Sequence, residues 1–299
     1  MLSVKRYAIL RSLVLLFVLI VGSGCGAPSA ARPEPPTLTV YLAQKSLATL
    51  PVELAAALGL FADNHLRIRW VDTPNATVRI AMAGHSWPIV GYLAVRPDVV
   101  LVAPEPDPSF RLRHLDHLPL LLARAVKSDA PLIERALALH GAKPSSTVLI
   151  PWTQIAQGWQ HQGLPWVWVS LPQAVQLRAL NPHTRILAWL GASTGPIPVW
   201  TISAPADNVL VSRFLNSVNL ALWYLHTNSA GTIAEWLPGK VTPNILRLAL
   251  HYEYWPRTTY PAQTLYDRAQ KAWVSGWPAY GAGVNPLPAY HALAMTARY

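Results

Sequence analysis

Residues whose types and spacing could perform chemistry are few in this sequence. It contains no His-Glu-x-x-His zinc motif and no glycine-rich phosphate loop that ends in lysine. Glu105 and Asp107 could form a pair of carboxylates, but the prolines around them make a poor rigid support. The run His114–His117 could suggest a metal, yet its adjacent residues are expected to be solvated. We therefore predict no catalytic residues, no metal and no cofactor, and expect that the protein is not an enzyme.

Polar residues that follow the first predicted strand are better candidates for contacts with a ligand. Gln44, Lys45 and Ser46 occupy this position, and open α/β sheets bind ligands at the carboxyl ends of their strands. A solvent-exposed loop is an equally good interpretation of the same residues. Because few acidic residues lie near Lys45, the loop favours an anionic or a neutral polar ligand.

Six further candidates lie at other predicted strand ends or helix starts, where hydroxyl, backbone and aromatic groups could line a pocket. These candidates are Gly91, Tyr92, Ser128, Trp152, Trp168 and Ser170. Each also has an ordinary structural explanation. Ser128 and Asp129 are most simply a helix cap, and a tryptophan more often packs in a core than lines a pocket.

The elements that must position these residues alternate between strand and helix. Leu38–Thr73 reads as a strand, a polar loop, a helix that begins near Pro51 and a second strand. A long amphipathic helix is predicted over Val211–Leu225, with further helices after it. Additional strands are predicted at Val99–Ala103, Leu120–Val126, Thr147–Trp152, Trp166–Ser170, Arg185–Ala192 and Val199–Ala204, and a short helix at Ala76–Ala83. This alternation predicts the α/β fold class.

The composition is that of a globular, mildly basic protein. Of the 299 residues, 52% are hydrophobic and 13% are charged, with 24 Lys and Arg against 14 Asp and Glu. No run of Lys or Arg exceeds two residues, whereas nucleic-acid-binding proteins gather these residues into patches. We therefore expect no nucleic-acid partner. The shortage of acids fits a chain in acidic surroundings, where carboxylates would protonate and destabilise the fold.

The amino terminus has the layout of an export signal. Basic residues precede the apolar run Leu13–Val21, which is too short to span a bilayer, and small residues then lead to Cys25. Small residues before the only cysteine resemble the bacterial lipobox. We predict a signal peptide over 1–24, lipidation of Cys25, a Pro-rich tether over 25–36, and anchoring at the outer face of the cell membrane. An ordinary signal peptide with an incidental cysteine is the alternative.

Four stretches, in order along the chain, resemble the extracytoplasmic substrate-binding proteins of ABC importers. The similar group is the nitrate, sulfonate and taurine type, which includes binders of thiamine-pyrimidine precursors. The stretches are Pro51–Leu66, Met82–Gly84 with the strand after it, Gln160–Pro172, and the late helix pair Val211–Trp236. The family usually carries Asp after the glycine of both middle stretches, where this chain has Ser86–Trp87 and Pro165–Trp166. This departure puts the ligand in doubt more than the fold.

The resemblance implies a periplasmic-binding-protein-like fold of type 2, with two α/β lobes joined by two hinge crossings. Lobe one would comprise 37–108 and 205–299, and lobe two 109–204. The implied function is a lipoprotein that captures a small organic or anionic solute by closing its lobes, as a monomer, and delivers it to an ABC permease. Three alternatives stay open: an enzyme of thiamine-pyrimidine or quinone-precursor metabolism on this fold, a sensory module, and a degenerate lipoprotein with an occluded cleft.

Overall fold

A computed structural model describes residues 34–82, 88–161, 163–197, 199–205 and 208–259. The chain divides into two units, Met1–Pro35 and Pro36–Tyr299, and almost all described residues belong to the second. Its strands are β1 Thr37–Leu42, β2 Arg67–Val71, β3 Val78–Met82, β4 Ile89–Ala94, β5 Val99–Ala103, β6 Leu120–Ala123, β7 Thr147–Ile150, β8 Val167–Ser170, β9 Arg185–Trp189 and β10 Trp200–Ser203. Its helices are α1 Leu50–Ala57, α2 Leu60–Asp63, α3 Ala130–Leu139, α4 Trp152–Gln160, α5 Leu171–Leu180, α6 Leu190–Thr194, α7 Val209–Thr227, α8 Ala230–Trp236 and α9 Pro243–His251.

The first β-α-β unit forms largely as its sequence predicts. Pro51 lies in the first turn of α1, where its missing N–H leaves no hydrogen bond unmade. The helix ends because Gly59 adopts a left-handed conformation with φ of 73°, and α2 continues beyond this break. Leu54 and Phe61 are buried on the stripe that faces the sheet and α7.

The first sheet has the strand order β2-β1-β3-β10-β4. The strands β2 and β3 both pair parallel with β1, and β10 lies antiparallel between β3 and β4. One face of this sheet is apolar and packs against α1 and α7. Residues of the central strands on the opposite face, such as Arg79, Thr201 and Ser203, are polar.

The second sheet has the order β7-β6-β8-β5-β9. Here β6 pairs parallel with both β7 and β8, while β5 pairs antiparallel with β8 and β9. All five residues of β5 are buried, as its unbroken apolar sequence predicts. Two α/β sheets confirm the predicted fold class.

The chain passes between the sheets at different points from the predicted lobe boundaries. Strand β5, placed in lobe one on the sequence, belongs to the second sheet, and β10, placed in lobe two, belongs to the first. The crossings are therefore Val95–Asp98 and the segment from Leu190 to Val199. We propose lobes divided at these crossings instead of at 108 and 204.

The prediction of a helix over Ala76–Ala83 is wrong, because Val78–Met82 forms β3. Val78 and Ile80 are fully buried and alternate with Arg79, which is the period of a strand with two different faces. Pairing with β1 and β10 on either side stabilises the extended form. The helical spacing of this short segment was not specific enough to decide between the two structures.

The late helices begin at side-chain caps that the sequence predicts. Asn208 accepts a hydrogen bond from the Leu210 amide at 2.8 Å, and Ser229 accepts one from the Thr232 amide at 3.1 Å. Within the described residues, no helix is long and apolar enough to cross a membrane. The predicted signal peptide, Cys25, most of the tether and the residues after 259 lie outside the described residues.

Candidate ligand-binding cleft

The carboxyl edges of the two sheets face each other. In the first sheet, Ala94 at the end of β4 lies in register with Trp200 and, through it, with Met82 at the end of β3. In the second sheet, Val99 at the start of β5 pairs with Ser170 at the end of β8. Only Val95–Asp98 separates β4 from β5, so these two edges lie within about 17 Å of each other.

The second crossing joins the same two edges. Trp189 at the end of β9 pairs with Val100 near the start of β5, and Trp200 begins β10 at the edge of the first sheet. Two short connections between the carboxyl ends of two open sheets create a cleft, which is where ligands bind in α/β proteins. We call the space between these edges the cleft.

Three predicted binding residues lie together on the second sheet's side of the cleft. Ala123 at the end of β6 pairs with Ile150 at the end of β7, and β8 is parallel to both. Ser128, Trp152 and Ser170 follow or end these three strands, so they share one edge. Ser128 is exposed, whereas Trp152 and Ser170 are half-buried.

This edge also carries the starts of three helical segments. The segment Arg124–Asp129 leads into α3, Trp152 is the first residue of α4, and Ser170 precedes α5. Exposed N–H groups at helix starts attract anions, and the helix dipoles add partial positive charge there. The Ser170 amide and hydroxyl are directed to Gln173 Oε1 at 3.2 and 3.3 Å, so this serine also caps its own helix.

The residues of the predicted loop after β1 differ in their exposure to solvent. Gln44 and Lys45 are exposed, and Ser46 begins the helical turn that leads into α1. The Oγ atom of Ser46 is buried and makes no hydrogen bond to any residue that the structure describes. Such a hydroxyl has the unsatisfied capacity that a bound polar ligand would fill.

Lys45 also lines a separate pocket of about 610 Å³ beside α1. Trp70 from β2 and Trp236 from α8 are among the residues of this pocket. Its lining contains two acidic and two basic residues: Glu53 pairs with Lys240 at 3.4 Å, and Asp72 and Lys45 are the other two. Lys45 therefore has two neighbouring concave sites within its reach.

Three predicted ligand contacts, Gly91, Tyr92 and Trp168, are buried in packed sheets in this structure. A Cβ atom on Gly91 would lie 3.2 Å from Leu215 and 3.3 Å from Thr259, so this glycine permits close packing. Tyr92 is 1% exposed and donates its amide to the Thr259 carbonyl at 2.8 Å. Trp168 is also 1% exposed, in the centre of the second sheet.

The sequence analysis missed the residues that hold the crossings. Arg96 contacts three groups at once: Glu253 Oε2 at 3.0 Å, the Gly191 carbonyl at 3.1 Å and the Trp189 ring. Trp189 Nε1 donates to the Pro97 carbonyl at 3.0 Å, and its ring stacks on Tyr252 at 4.6 Å. These contacts tie both crossings to the end of α9, and no local pattern in the sequence indicates them.

Asp98 is the second unpredicted residue at the cleft. Burial raises the pKa of its carboxyl from 3.8 to about 6, although a hydrogen bond from its own amide acts in the opposite direction. Its carbonyl accepts the Leu171 amide at 2.7 Å, which fixes the start of α5 against the crossing. A titratable group therefore lies at the base of the cleft.

Gly191–Gly195 matches the pattern Gly-x-Ser-x-Gly, a motif that was overlooked on the sequence. Ser193 Oγ lies 3.5 Å from His140 Nε2; the serine is half-buried and the histidine is exposed. In hydrolases this pattern places the serine on a strained turn between strand and helix, whereas Ser193 lies inside α6 and has no positive φ. The pair lacks the geometry of an activated nucleophile in this conformation.

Asp107 and His114, two of the residues weighed on the sequence, have local structural partners. Asp107 accepts hydrogen bonds from the Ser109 hydroxyl at 2.6 Å and amide at 2.9 Å; these contacts, led by the hydroxyl, lower its pKa. His114 Nδ1 accepts the Arg111 amide at 3.2 Å. Over the described ranges, no group of three His, Cys, Asp or Glu residues is placed to hold a metal ion.

Solved structures of other proteins share the fold of this chain, although their sequences are only distantly similar. No protein-family model matches the sequence, and no curated protein matches it. The alkanesulfonate-binding protein SsuA of Xanthomonas axonopodis pv. citri, solved with MOPS bound, superimposes with a TM-score of 0.57 at 17% identity over 83% of this chain and 96% of its own. The chain has a periplasmic-binding-protein fold. SsuA of Escherichia coli, a periplasmic aliphatic sulphonate binding protein, gives a TM-score of 0.58 at 16% identity over 82% and 88%.

A third solved structure corrects one expectation from the sequence. The desulfurization enzyme DSZB superimposes with a TM-score of 0.52 at 14% identity, over 80% of this chain and 92% of its own. An enzyme thus shares this fold, so the expectation that the protein is not an enzyme is withdrawn. The absence of familiar motifs was too weak a reason, because many catalytic sites are recognised by geometry alone.

Proposed function

We propose that this protein is the extracytoplasmic solute-binding component of an ABC importer and that it binds a small organic anion in its cleft. The observation that carries the proposal is the meeting of two carboxyl sheet edges at two short crossings. The shared fold with two sulfonate-binding proteins supports the same function. Binding would occur between the lobes and would favour a closed arrangement of them.

The anionic charge of the ligand follows from the groups around the cleft. The start of α4 at Trp152 supplies backbone N–H groups, Ser128 supplies an exposed hydroxyl, and Ser46 supplies a buried hydroxyl without a described partner. Such donors suit a sulfonate, sulfinate or carboxylate. Trp152 is half-buried and offers an apolar surface for the organic part of the ligand.

A thermal-shift screen tests this function. Propanesulfonate and MOPS are compared with propanol and 3-morpholinopropanol, which share their carbon frames but lack the sulfonate. At one hundred times its Kd, a ligand stabilises the native state by about 2.7 kcal/mol, which raises Tm by roughly 5–10 °C for a chain of this size. The same response to the compounds that lack the sulfonate would contradict anion recognition.

Two serine variants locate the site. Ser128→Ala removes an exposed hydroxyl at the cleft edge, while Ser145→Ala removes an exposed hydroxyl just before β7, at the opposite end of the same sheet. We expect the first variant to weaken ligand binding about three- to tenfold and the second to leave it unchanged. Equal affinities in both variants would place the ligand elsewhere.

The test must also separate binding from turnover, because an enzyme shares the fold. The protein is incubated with the ligand that gives the largest shift, and the ligand is then recovered and analysed by mass spectrometry. An importer component returns the compound unchanged. A changed mass would make the chain an enzyme, and Asp98 and the Ser193–His140 pair would be the first residues to replace.

The proposal includes export and a lipid anchor at Cys25, which delivers the ligand to a permease at the membrane. Cys25→Ala would leave the amino terminus without a thiol for lipidation. We expect the variant to move from the detergent phase to the aqueous phase in detergent partitioning. An unchanged distribution would remove the lipoprotein part of the proposal and leave the binding function in place.

A further inference from the structure

A further concave site lies between α5, β9 and α9 and contains three arginines. The pocket has a volume of about 660 Å³ and is formed by α5, β9 and α9. Arg178 comes from α5, Arg185 from β9 and Arg247 from α9. We call this site the arginine pocket.

The charge of the arginine pocket is strongly one-sided. Asn244 and His251 are further polar residues of its lining, which includes no carboxylate. The three arginines are exposed, and none forms an ion pair with an acidic residue in the described part of the chain. Arg185 directs Nη1 to the carbonyls of Pro182 and Thr184 at 3.2 and 3.1 Å, which fixes its direction without neutralising it.

Three guanidinium groups around one concave surface repel each other unless an anion lies between them. Guanidinium groups offer several N–H donors in a fixed plane and match the geometry of phosphate and carboxylate oxygens. The lining also includes the apolar residues Val175, Ile186 and Leu248. A ligand with several oxyanion groups on an organic frame suits this combination.

The arginine pocket is distinct from the cleft. Helix α5 begins at the cleft edge, and Arg178 lies eight positions after Ser170, about 12 Å farther along the helix axis. Arg185 begins β9, whose other end, Trp189, reaches the cleft edge. The ligand of the cleft and the ligand of the arginine pocket therefore do not compete for the same groups.

We propose that the arginine pocket binds a small organic molecule that carries two or more oxyanion groups, above all phosphates. The ligand is held jointly by α9 and by two elements of the second lobe. Tyr252, which stacks on Trp189 at the crossing, also lines the pocket. A ligand in the arginine pocket would therefore hold α9 against the second sheet beside the crossing. Such a ligand would change the free energy of cleft closure.

Calorimetric titration with tripolyphosphate tests the proposal, with the full-length chain in a nonionic detergent. Wild-type protein is compared with the double variant Arg178→Gln/Arg247→Gln and with Arg135→Gln, which removes an exposed arginine from α3. We expect the double variant to lose affinity about tenfold or more and Arg135→Gln to lose less than twofold. Equal losses in the two variants, or no measurable binding to wild type by any probe, would overturn the proposal.

A second pair of probes distinguishes a free phosphate compound from a lipid headgroup. Dihexanoyl phosphatidylglycerol and dihexanoyl phosphatidylcholine are titrated into the same three proteins below their micellar concentrations. Binding of the first compound alone, and its loss in the double variant, assigns the pocket to an anionic headgroup. Binding of tripolyphosphate alone assigns it to a soluble phosphate compound, and both results support the oxyanion site. Circular dichroism confirms that the variants are folded.

Discussion

Asp98 at the base of the cleft makes the stability of the protein depend on pH in an unusual direction. Because burial raises its pKa, the native state binds a proton that the unfolded state has already released. Stability from this group is present at low pH and is lost as the pH rises from 3.8 through about 6. Replacement by asparagine keeps the shape and removes the charge.

The size of the effect follows from the two pKa values. A tenfold change in proton affinity corresponds to about 1.4 kcal/mol, so the charged Asp98 destabilises the native state by at most about 3 kcal/mol above pH 7. At pH 4.5 most of this destabilisation is absent, and about 1 kcal/mol remains. Asp98→Asn should therefore stabilise the protein by about 2 kcal/mol more at pH 7.5 than at pH 4.5.

Urea unfolding of wild type and variant at the two pH values measures this difference. Asp63→Asn is the matched control, because it removes the same charge from an exposed side chain on α2. Its effect on the free energy of unfolding should change little with pH. An Asp98→Asn effect of equal size at both pH values would refute the reasoning, since the half-buried charge would then cost nothing.

Three further predictions concern packing and the hinge. Gly91→Ala should destabilise the protein by about 1–3 kcal/mol in urea unfolding, because its Cβ would crowd Leu215 and Thr259, whereas Gly231→Ala, with 3.6 Å to its nearest neighbour, should be neutral or stabilising. Trp189→Phe removes the hydrogen bond to the Pro97 carbonyl, so it should lower the free energy of unfolding by about 1–2 kcal/mol and also change the affinity for the cleft ligand. If neither property changes, other contacts hold the crossing. Ser217→Ala breaks hydrogen bonds of 3.0 Å to the Leu60 carbonyl and 2.9 Å from Asn64, which costs about 1–3 kcal/mol, and an unaltered thermal unfolding curve would contradict the role of this buried contact between α7 and α2.

The sequence predicts elements well where local signals agree with the tertiary fold. The bounds of α7 follow from its apolar period and from the Asn208 cap, both of which act within a few residues. Strand β3 was misjudged because its identity depends on β10, whose residues lie about 120 positions later in the chain. The positions of the two crossings depend on the same pairing of β10 with β3 and β4. The sequence does not show this pairing, so the predicted lobe boundaries differ from the observed crossings.

The candidate site was predictable only in part. Placing Ser128, Trp152 and Ser170 after strands was sufficient to bring them to one edge, because β6, β7 and β8 are parallel. For the predicted contacts Tyr92 and Trp168, the sequence did not show which face of the strand each side chain occupies. Both side chains point into packed layers. The contacts of Arg96 and the convergence of the three arginines join residues far apart in sequence, and only the folded chain shows them.

The insertion of β10 between β3 and β4 has a consequence for how the chain folds. Strands β3 and β4 are neighbours in sequence but share no ladder, and the strand that joins them follows after the whole second sheet. An emerging chain therefore holds an incomplete first sheet until residues near 203 are available. Such late, non-local pairing slows folding. If the export proposed above passes this chain across a membrane in extended form, the order of assembly gives the chain more time to cross.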